Sequence, residues 1–507
     1  MFVICYCHPI ENNALTQQVG PLTRFIHITT RQHTMHDSSK LPVRTKLAYG
    51  LGQVAETIKG TGFDIFLFFY FTQVLGLSGT LAGVAVMIAL IFDAVTDPLV
   101  GYISDHWHSR FGRRHPFMLV AAVPLGFAWF ALFMPPDSLT QIGLFCWLVG
   151  FAILVRGTIT VYYVPYLALG AELTQDYQER TSVAAWRGIC GVLAAALVVV
   201  VGLSLFFPDT DTFENGLLNP AGYPKVAMAG AVIMVLAIVV SVWGTRDCIV
   251  LLSKASETLV RVPLREDIAA AWQNVSFRSL FIGTMLVAVS IGIVQTLNMH
   301  LNVYFWQLSS SAIALLAIGL LIGWPVGILL AAPMHRRFDK KRTIIVAALI
   351  GPLAGNIAVV ARLVDIFPPA DSVLFEPLIF CVLFVSGVAA GLAMTSGASM
   401  MADVTQEHQF RTGRNQEGFL FSAMAFTGKL AAAVGYLVAG VGLDLIGFPA
   451  QAEPSQVMPA EVTRLALLNL SACLFGFASA GAYFFYSIDR ARQKHTASEI
   501  AERNEGP

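Results

Sequence analysis

Twelve apolar runs follow one another along the 507-residue chain, at roughly 47–74, 79–104, 116–135, 139–170, 183–207, 224–245, 278–305, 311–334, 343–363, 373–401, 417–446 and 463–487. A bilayer span takes about 20 apolar residues, so these runs and their short connections use up most of the chain and leave no large soluble domain. In hydrocarbon, every backbone N–H and C=O must be satisfied within a helix or a closed barrel, and runs of this length predict helices. Composition agrees: 13% of residues are charged, where a soluble chain carries roughly 25%. The expected fold is an all-α membrane protein of twelve transmembrane helices. Pro98, Pro124, Pro165, Pro325 and Pro352 fall inside runs, as is common in membrane helices.

Lysine and arginine collect in cytoplasmic loops. Of the 32 basic residues, 26 fall on the side that carries both termini; Lys225, Arg362 and Arg464 lie opposite, and three more lie within runs. Both termini are therefore expected in the cytoplasm, with the protein a multi-pass component of the plasma (inner) membrane. Basic and acidic residues balance at 32 each, which argues against nucleic acid as a partner. The expected partners are a small-molecule substrate and the bilayer, and the expected state is a monomer. Seven scattered cysteines show no CxxC pair and no metal-ligand spacing, which argues against a disulfide or metal framework. Residues 1–34 lack the charged-then-apolar build of a signal peptide. One reading is a mis-assigned start, with Met35 the true first residue.

The longest internal connection, about 246–277, divides the chain in two. AELTQDYQERT at 171–181 returns as ADVTQEHQFRT at 402–412, with six of eleven positions identical and an offset of 231. Arg110-Phe-Gly-Arg-Arg114 is answered by Arg337-Phe-Asp-Lys-Lys341, with an offset of 227. Offsets this close, in corresponding loops, indicate a six-plus-six parallel repeat: a tail at 1–40, a bundle at 41–245, a central loop at 246–277, a bundle at 278–487 and a tail at 488–507. Such repeats are the build of secondary transporters, whose substrate sites lie at the midplane between the halves.

A charge at the bilayer centre costs at least about 2.5 kcal/mol, so each one asks for a partner or a job. Asp93 and Asp97 are four residues apart and share a helix face. In low dielectric two such carboxylates call for a cation between them or a proton on one, which makes the pair a candidate cation or proton site, with the Thr96 hydroxyl one turn from Asp93. The structural alternative is a capping role for Asp97 before Pro98 and a lysine partner for Asp93. Lys429, about twelve residues into its run, either neutralises the aspartates when the ion is absent or forms a fixed ion pair. Glu56 and Lys59 are spaced to neutralise each other. Arg156 either grips an anionic group on the substrate or pairs with Glu56 or Asp64. His300, with Asn298 and Asn302, is expected at the outer membrane interface, and FLFFYF at 66–71 as lipid-facing or packing surface. Paired intramembrane histidines for haem are missing, so neither an enzyme nor a cofactor is expected, only a coupling ion, Na+ or H+.

YGLGQ at 49–53, DAVTDPLVGYISD at 93–105, SRFGRRHP at 109–116, PYLALGAELTQDYQERT at 165–181 and Arg187 together resemble the glycoside-pentoside-hexuronide:cation symporters of the major facilitator superfamily. The likeness runs from about Lys40 to Arg492. It implies that Asp93 and Asp97 are cation ligands, that Thr160 gives the same ion a hydroxyl, that Lys429 is the family's helix-eleven lysine and that Arg187 borders the sugar pocket. It also implies that Asp105, Arg110, Arg113, Arg114, Glu172 and Arg180 belong to cytoplasmic charge clusters that latch the inner gate in the outward-open state. The sugar clamp departs from the melibiose type: two aspartates and a tryptophan are replaced by Thr57, Tyr163 and Leu167, and Arg156 stands where that type has a small residue. These changes point away from a galactoside, toward another polar or anionic sugar such as a uronide. A related branch moves lysophospholipids, so an amphiphile is the second reading; proton-coupled efflux and a transporter-like sensor are further ones.

Overall fold

The computed structural model describes residues 40–107, 109, 111–174, 176–210, 213–251, 271–412, 416–489, 492–493 and 499. The expectations for the first 39 residues, Arg110 and most of the central loop lie outside them. Among the described residues twelve long helices are present: α1 Val43–Gly62, extended by π-helical turns Phe63–Leu67 and Tyr70–Val74; α2 Gly79–His106; α3 His115–Leu132; α4 Gln141–Glu172; α5 Tyr177–Ala196, carried on through a π-helical turn Leu197–Gly202 and a last turn Leu203–Phe206; α6 Gly222–Thr245; α7 Val275–His300, ending in a π-helical turn Leu301–Phe305; α8 Ser310–Phe338; α9 Lys340–Leu363; α10 Phe375–Thr412; α11 Glu417–Leu445; and α12 Pro459–Tyr483. Eleven of them are long and apolar enough to cross a membrane. The exception, α1, is interrupted by Lys46, Glu56, Lys59 and Asp64, and it survives as a spanning helix because protein surrounds it. Phe66 to Phe71, the aromatic run, are all at most 4% exposed. The run is packing surface, as a helix apolar on every face must be.

Helix starts follow local chemistry. The Ser78, Thr140, Asp176, Asn274 and Ser309 side chains accept from backbone N–H groups in the first turns of α2, α4, α5, α7 and α8, satisfying donors that a helix leaves open. In the first half of the chain α1 packs on α5 and α6, α2 on α4, and α3 on α4 and α6. In the second half α7 packs on α11 and α12, α8 on α10, and α9 on α10 and α12. The halves meet chiefly where α11 runs along α2.

That seam closes on small residues. A Cβ added at Gly440 of α11 would lie 2.2 Å from the Gly79 carbonyl oxygen of α2, and one at Gly83 would lie 2.9 Å from the Tyr436 carbonyl oxygen. Backbones approach this closely only where side chains are missing, the principle behind small-residue stripes in membrane helices. Beside the seam, Asp444 of α11 caps the other half's helix: it accepts from Ser78 Oγ at 2.6 Å and from the Gly79 and Thr80 amides at 2.8 Å each. His300 Nε2 lies 3.2 Å from Thr72 Oγ1, Tyr304 donates to Gln73 Oε1 at 3.0 Å, and Asn215 donates to the Leu308 carbonyl at 2.8 Å. All of these contacts sit at one end of the bundle, the end away from the basic loops. His300 thus departs from its expected interfacial place: it is 0% exposed, edge-on to Phe69, because the chain end of α7 is folded under the other half.

Among the described residues, the following ion pairs at the basic end each lie within one half. Arg113 meets Glu172 at 2.6 Å, Arg114 meets Asp105 at 2.5 Å and Glu172 at 2.9 Å, Lys340 meets Asp403 at 2.6 Å, and Arg411 meets Glu407 at 3.1 Å. Arg180 Nε donates to the Thr174 carbonyl at 2.9 Å. The structure is therefore sealed at the end opposite the basic loops. Gly440→Val should push α11 off α2. Overpacking of about 1–3 kcal/mol is enough to move a population between two states, so a cysteine placed at Thr72 in a cysteine-free background should label faster. Unchanged labelling would show that the glycine seam does not hold the seal.

Candidate functional site

Midway along the bundle, two helices of the first half and one of the second bring four charges together. Asp93 and Asp97 lie one turn apart on α2, and Arg156 and Thr160 one turn apart on the facing side of α4. The Arg156 guanidinium is 3.2 Å from Asp93 Oδ2, and the Thr160 hydroxyl is 3.0 Å from Asp93 Oδ1 and 3.0 Å from Asp97 Oδ1. Lys429 reaches across from α11, its Nζ 2.9 Å from Asp93 Oδ2 and 2.5 Å from Asp97 Oδ2. The Asp93 and Arg156 side chains are 8% and 10% exposed, those of Asp97 and Lys429 35% and 33%. The cluster thus has a buried wall, Asp93 with Arg156, and an accessible side, Asp97 with Lys429.

The arrangement differs from the expectation in two places. Thr96 turns its hydroxyl back to the Phe92 and Asp93 carbonyls at 3.0 and 3.3 Å, the usual resting place of a threonine inside a helix, so it takes no part in the cluster. Arg156 pairs with Asp93 rather than with Glu56 or Asp64. It lies over the Phe63 ring, 5.2 Å from the centroid, and its buried Nε has no hydrogen-bond partner. Glu56 and Lys59 do pair, at 2.8 Å.

A second polar group lies toward the basic end of the same half. Tyr163 donates to Gln53 Oε1 at 3.2 Å, and the Gln53 amide is 3.5 Å from the Thr57 hydroxyl. Arg187 of α5 stands beside the Tyr49 phenol. Thr57, Tyr163 and Arg187 are thereby brought together, with α1, α4 and α5 each supplying one. Leu167 is 37% exposed, and no described contact draws it into this group. Asp64, which sequence reasoning weighed only as a partner for Arg156, accepts instead from Tyr436 of the other half at 3.1 Å; its place in a π-helical turn, which rotates the face of the helix, hides it from a 3.6-residue reading.

Twelve helices around a central cluster of opposed charges, sealed at one end, define a membrane transporter of the major facilitator fold. The chain belongs to the MFS/sugar transport protein family, whose model matches residues 48–490, and within it to the glycoside-pentoside-hexuronide:cation symporters. It is 25% identical to the glucuronide carrier protein homolog of Escherichia coli, over 92% of this chain and 97% of that one. It is 23% identical to the isoprimeverose transporter of Lactiplantibacillus pentosus, over 92% and 93%. Among solved structures, the nucleoside transporter NupG superposes with a TM-score of 0.61 at 15% identity, covering 89% of this chain and 100% of that one, which bears on the fold alone.

Truncating the lysine tests the cluster. Lys429→Met leaves two carboxylates to share Arg156, so one of them should take up a proton or a metal cation. The variant should melt lower than wild type at neutral pH without sodium, and acid or sodium should restore part of the loss. A variant that melts like wild type and responds to neither would show that the carboxylates do not depend on Lys429.

Proposed function

We propose that the protein couples the movement of a sugar or sugar derivative to that of a cation, Na+ or H+, by alternating access in the plasma (inner) membrane, with its termini cytoplasmic. In this reading Asp93, Asp97 and Thr160 form the cation site, and Lys429 and Arg156 stand in for the ion while it is away. The observation that carries it is the charge balance: two carboxylates and two positive side chains, held at 2.5–3.2 Å in the middle of the fold.

A cation entering between the carboxylates raises the net charge from zero to plus one. Lys429 is the more exposed of the two positive groups and the one anchored on the opposite half, so it is the one the ion displaces. Displacement removes a tie between the halves, and binding is reciprocal: whatever the ion does for the substrate's affinity, the substrate does for the ion's. The uncompensated positive charge then favours an anionic group on the substrate, and Arg156, with an idle Nε and the planar fork that suits carboxylates, is its natural partner. Thr57, Tyr163 and Arg187 form the remaining polar wall. The names of the glucuronide carrier homolog and the isoprimeverose transporter are consistent with either a hexuronide or a neutral pentose-containing sugar, and the extra arginine favours the hexuronide.

With the basic loops in the cytoplasm, the sealed end is the outer one and the structure faces inward. The Asp105, Arg113, Arg114 and Glu172 cluster is then disengaged from the other half, as the latch reading requires of this state.

Asp93→Asn and Asp97→Asn should each abolish cation-stimulated uptake in proteoliposomes while the protein remains inserted; ordinary coupled uptake by both would remove the cation-site reading. Arg156→Ala should raise the apparent KM for a uronide about tenfold or more, the usual worth of a hydrogen bond to a charged group. It should leave a neutral sugar nearly unchanged. Equal losses for both would assign Arg156 a structural role.

A further inference from the structure

Between the halves, toward the sealed end, lies a cavity of about 400 Å3. Its lining is mostly apolar, and none of Asp93, Asp97, Arg156 or Lys429 contributes to it. Gln295, Asn298 and Asn302 of α7 do, and across the space so do Thr61 and Asp64 of α1. The three carboxamides follow at i, i+3 and i+7, which is one face of a helix. No described residue hydrogen-bonds any of them, and Asp64 has one described hydrogen-bond partner, the Tyr436 hydroxyl at 3.1 Å. Three of the π-helical turns end here: they hold Asp64, Val199 and Asn302. Single π-helical turns inside α-helices concentrate at functional sites.

Half-buried polar groups without protein partners, set into a mostly apolar cavity that Asn356, Ser386 and Asn469 also line, offer their hydrogen bonds to whatever ligand fills it. The donor set here is specific. Each carboxamide offers an acceptor and two donors, and the carboxylate offers acceptors. Hydroxyl groups, which donate and accept at once, answer all of them, whereas a ligand that only donates or only accepts answers part. From Gln295 to Asn302 the helix rises about 10 Å at 1.5 Å per residue, close to the length of two linked sugar rings.

We propose that this α1–α7 face is a hydroxyl-reading subsite, distinct from the charge cluster, that binds the ring of the transported sugar irrespective of its charge. The inference rests on the sugar-transport reading above and adds where the ring sits. The neighbouring face of α7 carries the seal: His300 meets Thr72, and Tyr304 meets Gln73. One helix therefore reads the ligand on one side and closes the outer end on the other, within the same two turns.

The test uses purified full-length protein and a panel of neutral pentosides and disaccharides, including isoprimeverose, together with hexuronides such as 4-nitrophenyl β-D-glucuronide. Each is measured by thermal shift with sodium and by isothermal titration calorimetry. Gln295→Ala and Asn298→Ala remove no described contact, so both should fold and keep the wild-type response to sodium or acid alone. Each should weaken neutral and anionic sugars by the same factor, about tenfold or more, while Arg156→Ala should weaken the anionic ones more than the neutral ones. Asn298→Ser, which puts a hydroxyl that both donates and accepts in place of the carboxamide, should recover part of the loss. If wild type binds a sugar and both alanine variants bind it equally well, the subsite is wrong and the transport reading stands. If wild type binds no member of the panel, the sugar-transport reading falls and the subsite falls with it.

Discussion

Two carboxylates one turn apart, deep between the halves of a membrane protein, would repel each other and pay a large desolvation cost if left alone. Arg156 and Lys429 remove that problem by different means. Arg156 comes from α4, the helix packed against the aspartates, and its pairing with Asp93 is buried. Lys429 comes from the far half and remains accessible. The first interaction belongs to the architecture of one half; the second joins the two. Any event that changes the charge between Asp93 and Asp97 therefore acts directly on the contact between the halves. An electrostatic event at the centre becomes a mechanical one in this way.

In the proposed cycle, the seal is where that change is read out. At the end away from the basic loops the halves are joined by backbone approach at Gly79 and Gly440, by the Asp444 cap on α2 and by the His300 and Tyr304 contacts. At the basic end Arg113, Arg114, Asp105 and Glu172 satisfy one another within their own half, as do Lys340 and Asp403 in theirs. Several of these side chains are largely buried, Arg114 and Asp403 at 5% exposure, so each needs a partner at all times, and one from the other half could serve as well as one from its own. The asymmetry suits a protein that rests with one end closed by packing and keeps charged groups in reserve at the other.

Polar residues of α1 and α7 and apolar ones of α5 face the space between the halves, and each of these helices is interrupted by π-helical turns. The interruptions re-aim side chains that an uninterrupted helix would bury against its neighbours. Asp64 is the clearest case: it lies in such a turn and meets Tyr436 from the opposite half, although the sequence offered it only as a partner for Arg156.

Much of this molecule is legible in the chain. Twelve runs of apolar residues, a lopsided distribution of lysine and arginine and a repeat with an offset of about 230 residues require twelve helices in two similar halves, because a bilayer leaves an isolated segment few other ways to satisfy its backbone. The Asp93–Asp97 pair is visible for a related reason: charge is so costly in hydrocarbon that four residues of spacing already imply a site. Partners are another matter. Whether Arg156 met Asp93, Glu56 or a ligand depended on the rotation of α4 against α2, and a single turn of helix decides among them. Thr96 could have faced the aspartates but closed on its own backbone. His300, Asn298 and Asn302 read as an interfacial group until folding divided them between a buried seal and a cavity wall. Bilayer physics acts on each segment separately and so can be read segment by segment; the choice of partner depends on how helices turn against one another, which only their packing sets.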